Sequence, residues 1–298
     1  MFKKVLFIVI ALLTVSTLFA SCTTQRQQNS SSNSKIQSMQ SNSKTLSSNL
    51  SSSGVSAINS STIVGSVLSQ SSSSKALETA NTSSVPVLMY HSIIYEKNNS
   101  ARVAKETFEQ QMKWLYDNGY KTITLEELYE HLQAKTDFPD KCVVITFDDG
   151  YVDNYTNAFP ILKQYGFKST IFMIAGNINT GGYLTEQQLK EMSDNGISIQ
   201  GHTATHPYMD KLTYEKQYEE LANSKATLEA ITNKKVEFLA YPYGKYNNNT
   251  IKALKAIGYK MAFKMSGGFT KLSFPQYELP RVYEGDNLDK FIKSIKIK

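Results

Sequence analysis

The sequence predicts an α/β protein in which a parallel β-sheet is covered by helices. Two observations support this class. From Val85 onward, short apolar runs alternate with longer amphipathic stretches six or seven times, which is the pattern of repeated β-α units. The segments that connect them are short. The pattern fits either a doubly wound sheet or a closed barrel, and in both folds ligand sites gather at the carboxyl ends of the strands.

Residues 1–21 have the layout of a secretory signal peptide. A start with two lysines precedes an apolar run over residues 5–13, which is too short to span a membrane. The segment that ends at Cys22 resembles a bacterial lipobox, although Phe19 stands where Leu is usual. We therefore expect a lipid on Cys22 that anchors the protein at the extracellular face of a bacterial cell membrane. Ordinary cleavage followed by secretion is the alternative.

Residues 22–84 predict a flexible tether. Ser, Asn, Gln and Thr dominate this segment, and such a composition cannot bury enough apolar surface to offset the entropy of the chain. We expect the tether to give reach to one folded domain, residues 85–298. The formal net charge is +6 and the sequence has no nucleic-acid-binding motif. We expect a monomer.

The apolar runs are the predicted strands. They are rich in Val, Ile, Phe and Tyr and are bounded by polar or turn-forming residues. Their ranges are 85–90, 122–123, 142–147, 169–174, 197–200, 236–240, 259–263 and 279–283.

The amphipathic stretches are the predicted helices. A Thr followed three residues later by Glu or Gln is the signature of a capping box at a helix start, and it occurs at Thr107, Thr124 and Thr185. A glycine closes several of the helices. The predicted ranges are 107–117, 124–133, 155–165, 185–195, 213–231 and 248–257, and the lysine-rich tail 290–298 predicts a terminal strand or helix.

Polar residues with useful chemistry follow four of the predicted strands. His91 follows the first strand, and the pair Asp148 and Asp149 follows the run that ends at Phe147. His202 and His206 come after a third strand, and the segment 241–244 comes after a fourth. Three of the four histidines in the chain therefore lie at strand ends. Parallel strands place these ends on one rim, so we expect the side chains to meet.

The pair Asp148 and Asp149 has two interpretations. Asp-Gly is a common turn pair, which would need no function. Carboxylates at the end of a buried strand are nevertheless costly unless they are paired, hydrogen-bonded or bound to a metal. His202 and His206 are four residues apart and could join a carboxylate in a two-histidine, one-carboxylate metal site. A solvated histidine pair is the alternative. No Glu follows His202, so a base must come from elsewhere, and Asp148 is the natural candidate.

Together these motifs resemble a known family. Thr146–Gly150 and His202–His206, in this order and at strand ends, are similar to the first two motifs of the NodB-homology polysaccharide deacetylases, carbohydrate esterase family 4. The resemblance covers residues 85–298. It implies a distorted (β/α)7 barrel, here preceded by the tether. It also implies metal-dependent removal of N-acetyl groups, or sometimes O-acetyl groups, from polymers of N-acetylglucosamine.

The resemblance also implies roles for individual residues. Asp149, His202 and His206 would bind one divalent metal ion, with zinc expected and cobalt or nickel as alternatives. Asp148 would be the general base that deprotonates the attacking water. Tyr243, in the third motif, would offer its backbone N–H to the oxyanion.

Two positions depart from the family pattern. Ala240 stands where the third motif has an Arg, and Arg281 could replace that Arg, with a structural salt bridge as the alternative. No histidine follows His206, where the family has its general acid. His91 is then the strand-end histidine left to protonate the leaving amine. The segment Met89-Tyr90-His91 resembles the subgroup that deacetylates poly-β-1,6-N-acetylglucosamine in biofilms.

Three functions are compatible with this sequence. The first is an N-deacetylase that acts on an N-acetylglucosamine polymer of the envelope or matrix. The second is an O-acetyl esterase with the same metal chemistry. The third is a surface glycan-binding protein with weakened catalysis, for which Ala240 is the main support. Other residues near the rim either line the groove or have ordinary packing and capping roles: Tyr90, Tyr151, Tyr183, Tyr208, Asp153, Asn154 and Tyr155.

Overall fold

The computed structural model describes residues 82–265 and 267–296. The predicted signal peptide, Cys22 and nearly all of the predicted tether lie outside these residues. Within the described ranges, no helix has both the length and the apolar character needed to cross a bilayer.

One sheet of parallel strands organises the described residues. Seven strands follow each other in it: β1 (Val87–Tyr90), β2 (Cys142–Asp149), β3 (Thr170–Met173), β4 (Ser198–Gly201), β5 (Phe238–Ala240), β6 (Met261–Phe263) and β7 (Val282–Tyr283). Their order across the sheet is β7-β1-β2-β3-β4-β5-β6. A short strand at Lys121–Thr122 pairs with the start of β2.

The segment that contains β7 closes the sheet. Leu279 pairs with Phe263 of β6, and three residues later Val282 pairs with Leu88 of β1. The first and last strands of the domain are therefore neighbours. The closure confirms the predicted (β/α)7 barrel and excludes the doubly wound sheet.

Helices follow most of the strands and cover the outside of the barrel. They are α1 (Lys105–Asp117), α2 (Leu125–Ala134), α3 (Phe159–Tyr165), α4 (Glu186–Asp194), α5 (Tyr214–Thr232), α6 (Asn248–Ile257) and α7 (Leu288–Ile295). A π-helical turn, Asn154–Ala158, leads into α3. The lysine-rich tail is thus a helix over its described part.

Two of the three predicted capping boxes are confirmed, and one is wrong. The boxes at Thr124 and Thr185 have both reciprocal bonds. Thr107 lies inside α1, which begins two residues earlier after Ala104, a residue with no side-chain cap. A tertiary contact acts at this start instead, because the Ala104 N–H donates to Asp286 Oδ1 at 3.1 Å. Local capping chemistry could not reveal that contact.

The buried side chains of β2 alternate between two clusters. Val143, Ile145 and Phe147 pack against the outer helices, whereas Val144 belongs to the cluster inside the barrel. Both faces are buried, which explains the continuous apolar run. Since successive side chains point to opposite faces, Asp148 shares the interior face with Val144.

Candidate active site

Asp149, His202 and His206 converge at the carboxyl end of the barrel. Asp149 is the last residue of β2, and His202 directly follows β4. Asp149 Oδ1 lies 3.4 Å from His202 Nε2 and 3.5 Å from His206 Nε2. The two Nε2 atoms are 3.2 Å apart. One oxygen and two imidazole nitrogens thus surround a single point.

This donor set fits a divalent metal ion. Asp149 Oδ1 is buried and has no hydrogen-bond partner among the described residues, and such an atom is costly without a compensating ligand. Two imidazoles and one carboxylate are the protein ligands of many catalytic zinc sites. Burial acts to raise the pKa of Asp149, but His202, His91 and His206 outweigh it and lower the pKa to about 2. The carboxylate is therefore ionised, as a metal ligand must be.

A backbone carbonyl sets the tautomer of His202. His202 Nδ1 lies 2.7 Å from the carbonyl oxygen of Ala240, and a carbonyl can only accept, so Nδ1 carries a proton. In the neutral form of the ring, Nε2 then keeps the lone pair that a metal ion would bind. The pKa of His206 is lowered to about 4, first by burial and then by the nearby His202. A neutral His206 ring can likewise offer a lone pair.

Backbone strain is concentrated at this site. Left-handed φ angles occur at Asp149 (73°), Thr203 (66°), His206 (60°) and Tyr243 (56°). Each such angle in a non-glycine residue costs on the order of 1–3 kcal/mol and persists only where the surroundings impose it. The cluster of strained residues indicates that the geometry here is imposed by the fold.

Glu220 of α5 holds the loop between the two histidines. Its carboxylate accepts bonds from the N–H groups of Ala204 and Thr205, at 3.0 and 2.8 Å, and from the Thr205 hydroxyl at 2.7 Å. The His206 N–H also donates to Thr203 Oγ1 at 3.0 Å. The sequence analysis missed Glu220, because nothing distinguishes it from the other acidic residues of α5.

Asp148 is bound by Arg281 inside the barrel. Arg281 donates to Asp148 Oδ1 at 2.7 Å and to Oδ2 at 2.6 Å. It also donates to Thr146 Oγ1 at 3.1 Å and to the Lys264 carbonyl at 2.9 Å. Burial acts to raise the pKa of Asp148, but the charge and hydrogen bonds of Arg281 outweigh it, so the pKa is lowered. The structure thus brings Arg281 to Asp148, the predicted general base.

His91 lies at the same rim, directly after β1. Its ring packs at 5.8 Å from the ring of Tyr283, and its Nδ1 is buried without a hydrogen-bond partner in the described part of the chain. Burial lowers the pKa of His91, while Asp148 and Asp149 act in the opposite direction. Both carboxylates are thus close enough to affect the pKa of His91. His91 does not belong to the cluster of three ligand candidates.

The side chain of Tyr243 packs on His206, one of the metal-ligand candidates. Its ring meets His206 edge to face at 4.5 Å and stacks on Tyr208 at 4.1 Å. Tyr208 and Tyr243 are 48% and 44% exposed, so this stacked pair presents a flat aromatic surface beside the site. The role of the Tyr243 backbone N–H toward an oxyanion stays a prediction.

The other residues near the rim divide into groove and packing positions. Tyr151 and Tyr183 stack on each other at 5.2 Å. Tyr90 is buried and donates to Gln111 Oε1, so of its two possible roles it has the packing one. Asp153 and Asn154 are buried and bind the backbone after β1, so neither lines an open groove. Tyr155 donates to Glu191 of α4.

Comparison with known proteins identifies similar chains. The polysaccharide deacetylase family model matches residues 135–262. The chain is 41% identical over 232 residues to YxkH of Bacillus subtilis strain 168, a protein named among the polysaccharide deacetylases, over 76% of this chain and 82% of that protein. It is 30% identical to the poly-β-1,6-N-acetyl-D-glucosamine N-deacetylase of Staphylococcus aureus strain MRSA252, over 62% of this chain and 68% of that enzyme.

A solved structure has a similar fold. The deacetylase PplD of Streptococcus pyogenes, in complex with acetate, superposes on this chain with a TM-score of 0.68 and 30% sequence identity. The superposition covers 72% of this chain and 99% of that protein.

Proposed function

This chain belongs to the polysaccharide deacetylase family, and we propose that it is a metal-dependent hydrolase that removes N-acetyl groups from an N-acetylglucosamine polymer of the cell envelope or matrix. One observation carries the proposal. Asp149 Oδ1 is buried, has no hydrogen-bond partner among the described residues, and lies within 3.5 Å of the Nε2 atoms of His202 and His206. The next residue back along β2 is Asp148, a second buried carboxylate.

The three ligand candidates suit a Lewis-acid metal. A divalent cation bound there would polarise the acetyl carbonyl and activate the attacking water. Zinc is the expected ion because two imidazoles and one carboxylate form its common catalytic donor set, and cobalt or nickel accept the same ligands. Asp149, His202 and His206 would hold the ion.

Asp148 acts as the general base in this proposal. Each carboxylate oxygen has lone pairs left after it accepts a bond from Arg281, so Asp148 can take a proton from the attacking water. Arg281 keeps the carboxylate ionised and fixes its orientation. This arrangement favours the replacement of the family Arg, absent at Ala240, by Arg281.

His91 acts as the general acid. As the bond between the acetyl carbon and the sugar nitrogen breaks, the His91 imidazolium passes its ring proton to that nitrogen. The products are the free amine of glucosamine and acetic acid, which ionises to acetate. One proton of the water is left on Asp148, and His91 is left neutral. Burial lowers the pKa of His91, which makes the imidazolium a stronger acid and also reduces the fraction of enzyme that carries it at neutral pH.

One observation supports a β-1,6-linked polymer as the substrate, and a second supports the binding of a sugar. The Staphylococcus aureus relative deacetylates poly-β-1,6-N-acetyl-D-glucosamine according to its name, and this chain covers 68% of it. The exposed stacked pair of Tyr208 and Tyr243 lies beside His206. Flat aromatic surfaces of this kind can pack against the apolar face of a sugar ring.

The proposal includes the location of the enzyme. A signal peptide at residues 1–21, a lipid on Cys22 and a tether over 22–84 would hold the domain 85–298, as a monomer, outside a bacterial membrane. The mass of the mature N-terminal peptide tests this, since the lipid adds to Cys22. Cys22→Ala should release active protein into the medium, and retention of that variant in the membrane fraction would contradict the anchor.

Acetate release from defined oligomers tests the activity. The protein, loaded with zinc, cobalt or nickel, is incubated with β-1,6- and β-1,4-linked N-acetylglucosamine oligomers and with O-acetylated glycans. We expect acetate from the β-1,6 oligomers, its loss with chelator, and its loss in Asp148→Asn with metal still bound. Acetate from the O-acetyl esters alone would instead identify an O-acetyl esterase. No acetate from any substrate, with metal bound, would favour a glycan-binding protein.

A further inference from the structure

The segment that follows Asp148 and Asp149 forms hydrogen bonds with the backbone around His91. Asn154 Nδ2 donates to the carbonyl of His91 at 2.7 Å. Asp153 Oδ1 accepts from the N–H of Ile93 at 2.6 Å, and Asn157 Nδ2 donates to the Ile93 carbonyl at 2.8 Å. We call Asp153, Asn154 and Asn157 the clasp. It binds two residues of the loop after β1 at three backbone atoms.

Two of the three clasp residues are buried, and Asp153 also contacts Ser92 and Arg102. Asn154 is 0% exposed and Asp153 is 8% exposed. Asp153 Oδ2 accepts from Ser92 Oγ at 2.6 Å and lies 3.8 Å from Arg102 Nη1. Hydrogen bonds to a buried, charged acceptor are stronger than neutral ones. Asp153 therefore anchors the loop while Asn154 reaches the carbonyl of His91 itself.

The ring of His91 has no such support of its own. Its Nδ1 is buried and lacks a hydrogen-bond partner in the described residues. His202 differs, since its Nδ1 binds the Ala240 carbonyl and that bond orients the ring. The direction of the His91 ring is thus set by its backbone and by packing, and the backbone is what the clasp holds.

The clasp also lies close in sequence to the predicted base and to one of the metal-ligand candidates. Asp153 lies four positions after Asp149 and just before the π-helical turn 154–158. Asn154 and Asn157 lie within that turn. Such turns are often found at functional sites. A single stretch of chain therefore carries the base, one metal-ligand candidate and the groups that hold the loop bearing the acid.

We propose that Asn154 is a positioning residue for the reaction: with Asp153 and Asn157, it fixes the backbone from which His91 delivers its proton to the leaving nitrogen. The inference rests on the proposed function, because it needs His91 to be the general acid. It predicts that loss of the clasp harms the expulsion of a poor leaving group and spares steps that need no acid.

Two substrates separate these effects. An N-acetylglucosamine oligomer must lose an amine, whose nitrogen has to be protonated. 4-Nitrophenyl acetate loses a stable phenolate, which leaves without a proton. The ratio of kcat on the amide to kcat on the ester therefore reports the acid step, and a general fall in folded enzyme or bound metal lowers both values together.

The variants are His91→Ala, Asn154→Ala, Asn154→Asp and Asn157→Ala. We expect His91→Ala to lower the amide-to-ester ratio by about 100-fold, the low end for general acid catalysis, and each Asn variant to lower it by about 10-fold, with metal content unchanged. Asn118→Ala is the matched control. Its amide also donates to a backbone carbonyl, that of Trp114 at 2.8 Å, far along the chain from the site, and its ratio should equal that of the unaltered protein.

The outcomes are distinguishable. If His91→Ala lowers the ratio and the Asn variants lower amide and ester activity equally, His91 is the acid and the positioning role is overturned. If His91→Ala leaves the ratio unchanged, the acid assignment fails, and the positioning role fails with it. If Asn154→Ala does not fold, Asn157→Ala decides, because it removes one bond at the edge of the clasp.

Discussion

Arg281 binds both carboxylate oxygens of Asp148, at 2.7 and 2.6 Å, although 133 positions separate the two residues in the chain. Both are about 1% exposed. The planar guanidinium matches a carboxylate in a way that a lysine ammonium cannot. The pair therefore fixes the orientation of Asp148 and compensates for the burial of its charge.

Replacement of Arg281 should cost both stability and turnover. Arg281→Met leaves Asp148 buried without a counter-ion, which typically lowers the free energy of unfolding by about 3–5 kcal/mol. Arg281→Lys keeps the charge and loses the bidentate geometry. We expect it to be more stable than Arg281→Met and about 100-fold slower than the unaltered protein, because the base is misplaced. Urea denaturation and kcat on the oligomer measure the two effects.

The double variant Asp148→Leu/Arg281→Met is the control for the stability effect. It removes both charges, and a buried pair can often be replaced by apolar residues with little loss. Its free energy of unfolding should therefore exceed that of Arg281→Met. If Arg281→Met is as stable as the unaltered protein, the pair contributes nothing to the fold.

Metal binding should raise the melting temperature. An ion that binds only the folded state stabilises it by about 2.7 kcal/mol at 100 times its Kd. We expect zinc to raise the Tm and a chelator to reverse the change. His206→Ala should abolish both the shift and the bound metal. His131→Ala, at a half-buried position on α2 outside the ligand cluster, is the matched control and should leave the shift intact. An equal shift in the two variants would place the metal elsewhere.

Gly150→Ala should disturb the site more than the same substitution at Gly166, a glycine with a similar backbone conformation. Gly150 and Gly166 both have left-handed φ, +81° and +67°, so alanine costs roughly 1–2 kcal/mol at each. A Cβ on Gly150 would also overlap the buried Met173 Sδ, whereas Gly166 has no atom within 4 Å of that position. We expect Gly150→Ala alone to lose metal affinity, because Asp149 precedes it directly. Isothermal titration of both variants with zinc measures this, and equal affinities would contradict it.

Glu284 should make the fold less stable as the pH rises. Burial raises its pKa to about 8 from 4.5, although a bond from the Ser294 hydroxyl acts in the other direction. Between these values the folded protein keeps a proton that the unfolded chain releases, so stability falls as the pH rises through this window. Glu284→Gln keeps an acceptor for Ser294 and never ionises. Its Tm should exceed that of the unaltered protein by several degrees, on the order of 2–4 °C per kcal/mol, near pH 8.5 and by little near pH 5.

Glu130→Gln provides the comparison for Glu284. Glu130 lies on the exposed face of α2, so its replacement should change the Tm little at either pH. A Tm gain for Glu284→Gln that is the same at both pH values would mean that ionisation of Glu284 is not the cause.

The fold could be predicted because its pattern is local. Apolar runs marked all seven barrel strands. The run at 142–147 became β2, which continues to Asp149, since Asp148 and Asp149 still pair with Phe172 and Met173 of β3. Prediction stopped at Phe147 because polar residues rarely extend a buried strand.

Only those site residues that stand in recognisable sequence motifs could be predicted. The ligand candidates and the base stand in short segments that can be recognised, and the alternation of a strand explains why adjacent aspartates face different partners. Glu220 stands in no recognisable motif, and Asn154 could be named only as one of several residues near the rim. Most of their partners are backbone atoms brought close by tertiary contacts, 15 to 63 positions away, and polar helical residues look alike in a sequence.

Closure of the barrel by its last strand has a consequence for the order of folding. The part of the chain from β1 to β6 contains the three ligand candidates and Asp148, but the guanidinium that neutralises Asp148 arrives only with the segment before β7. Bringing it there closes a loop of more than a hundred residues, a slow non-local step. We therefore expect a nascent or partly refolded chain to gain metal affinity before it gains turnover, so that catalytic activity reports the docking of the final strand.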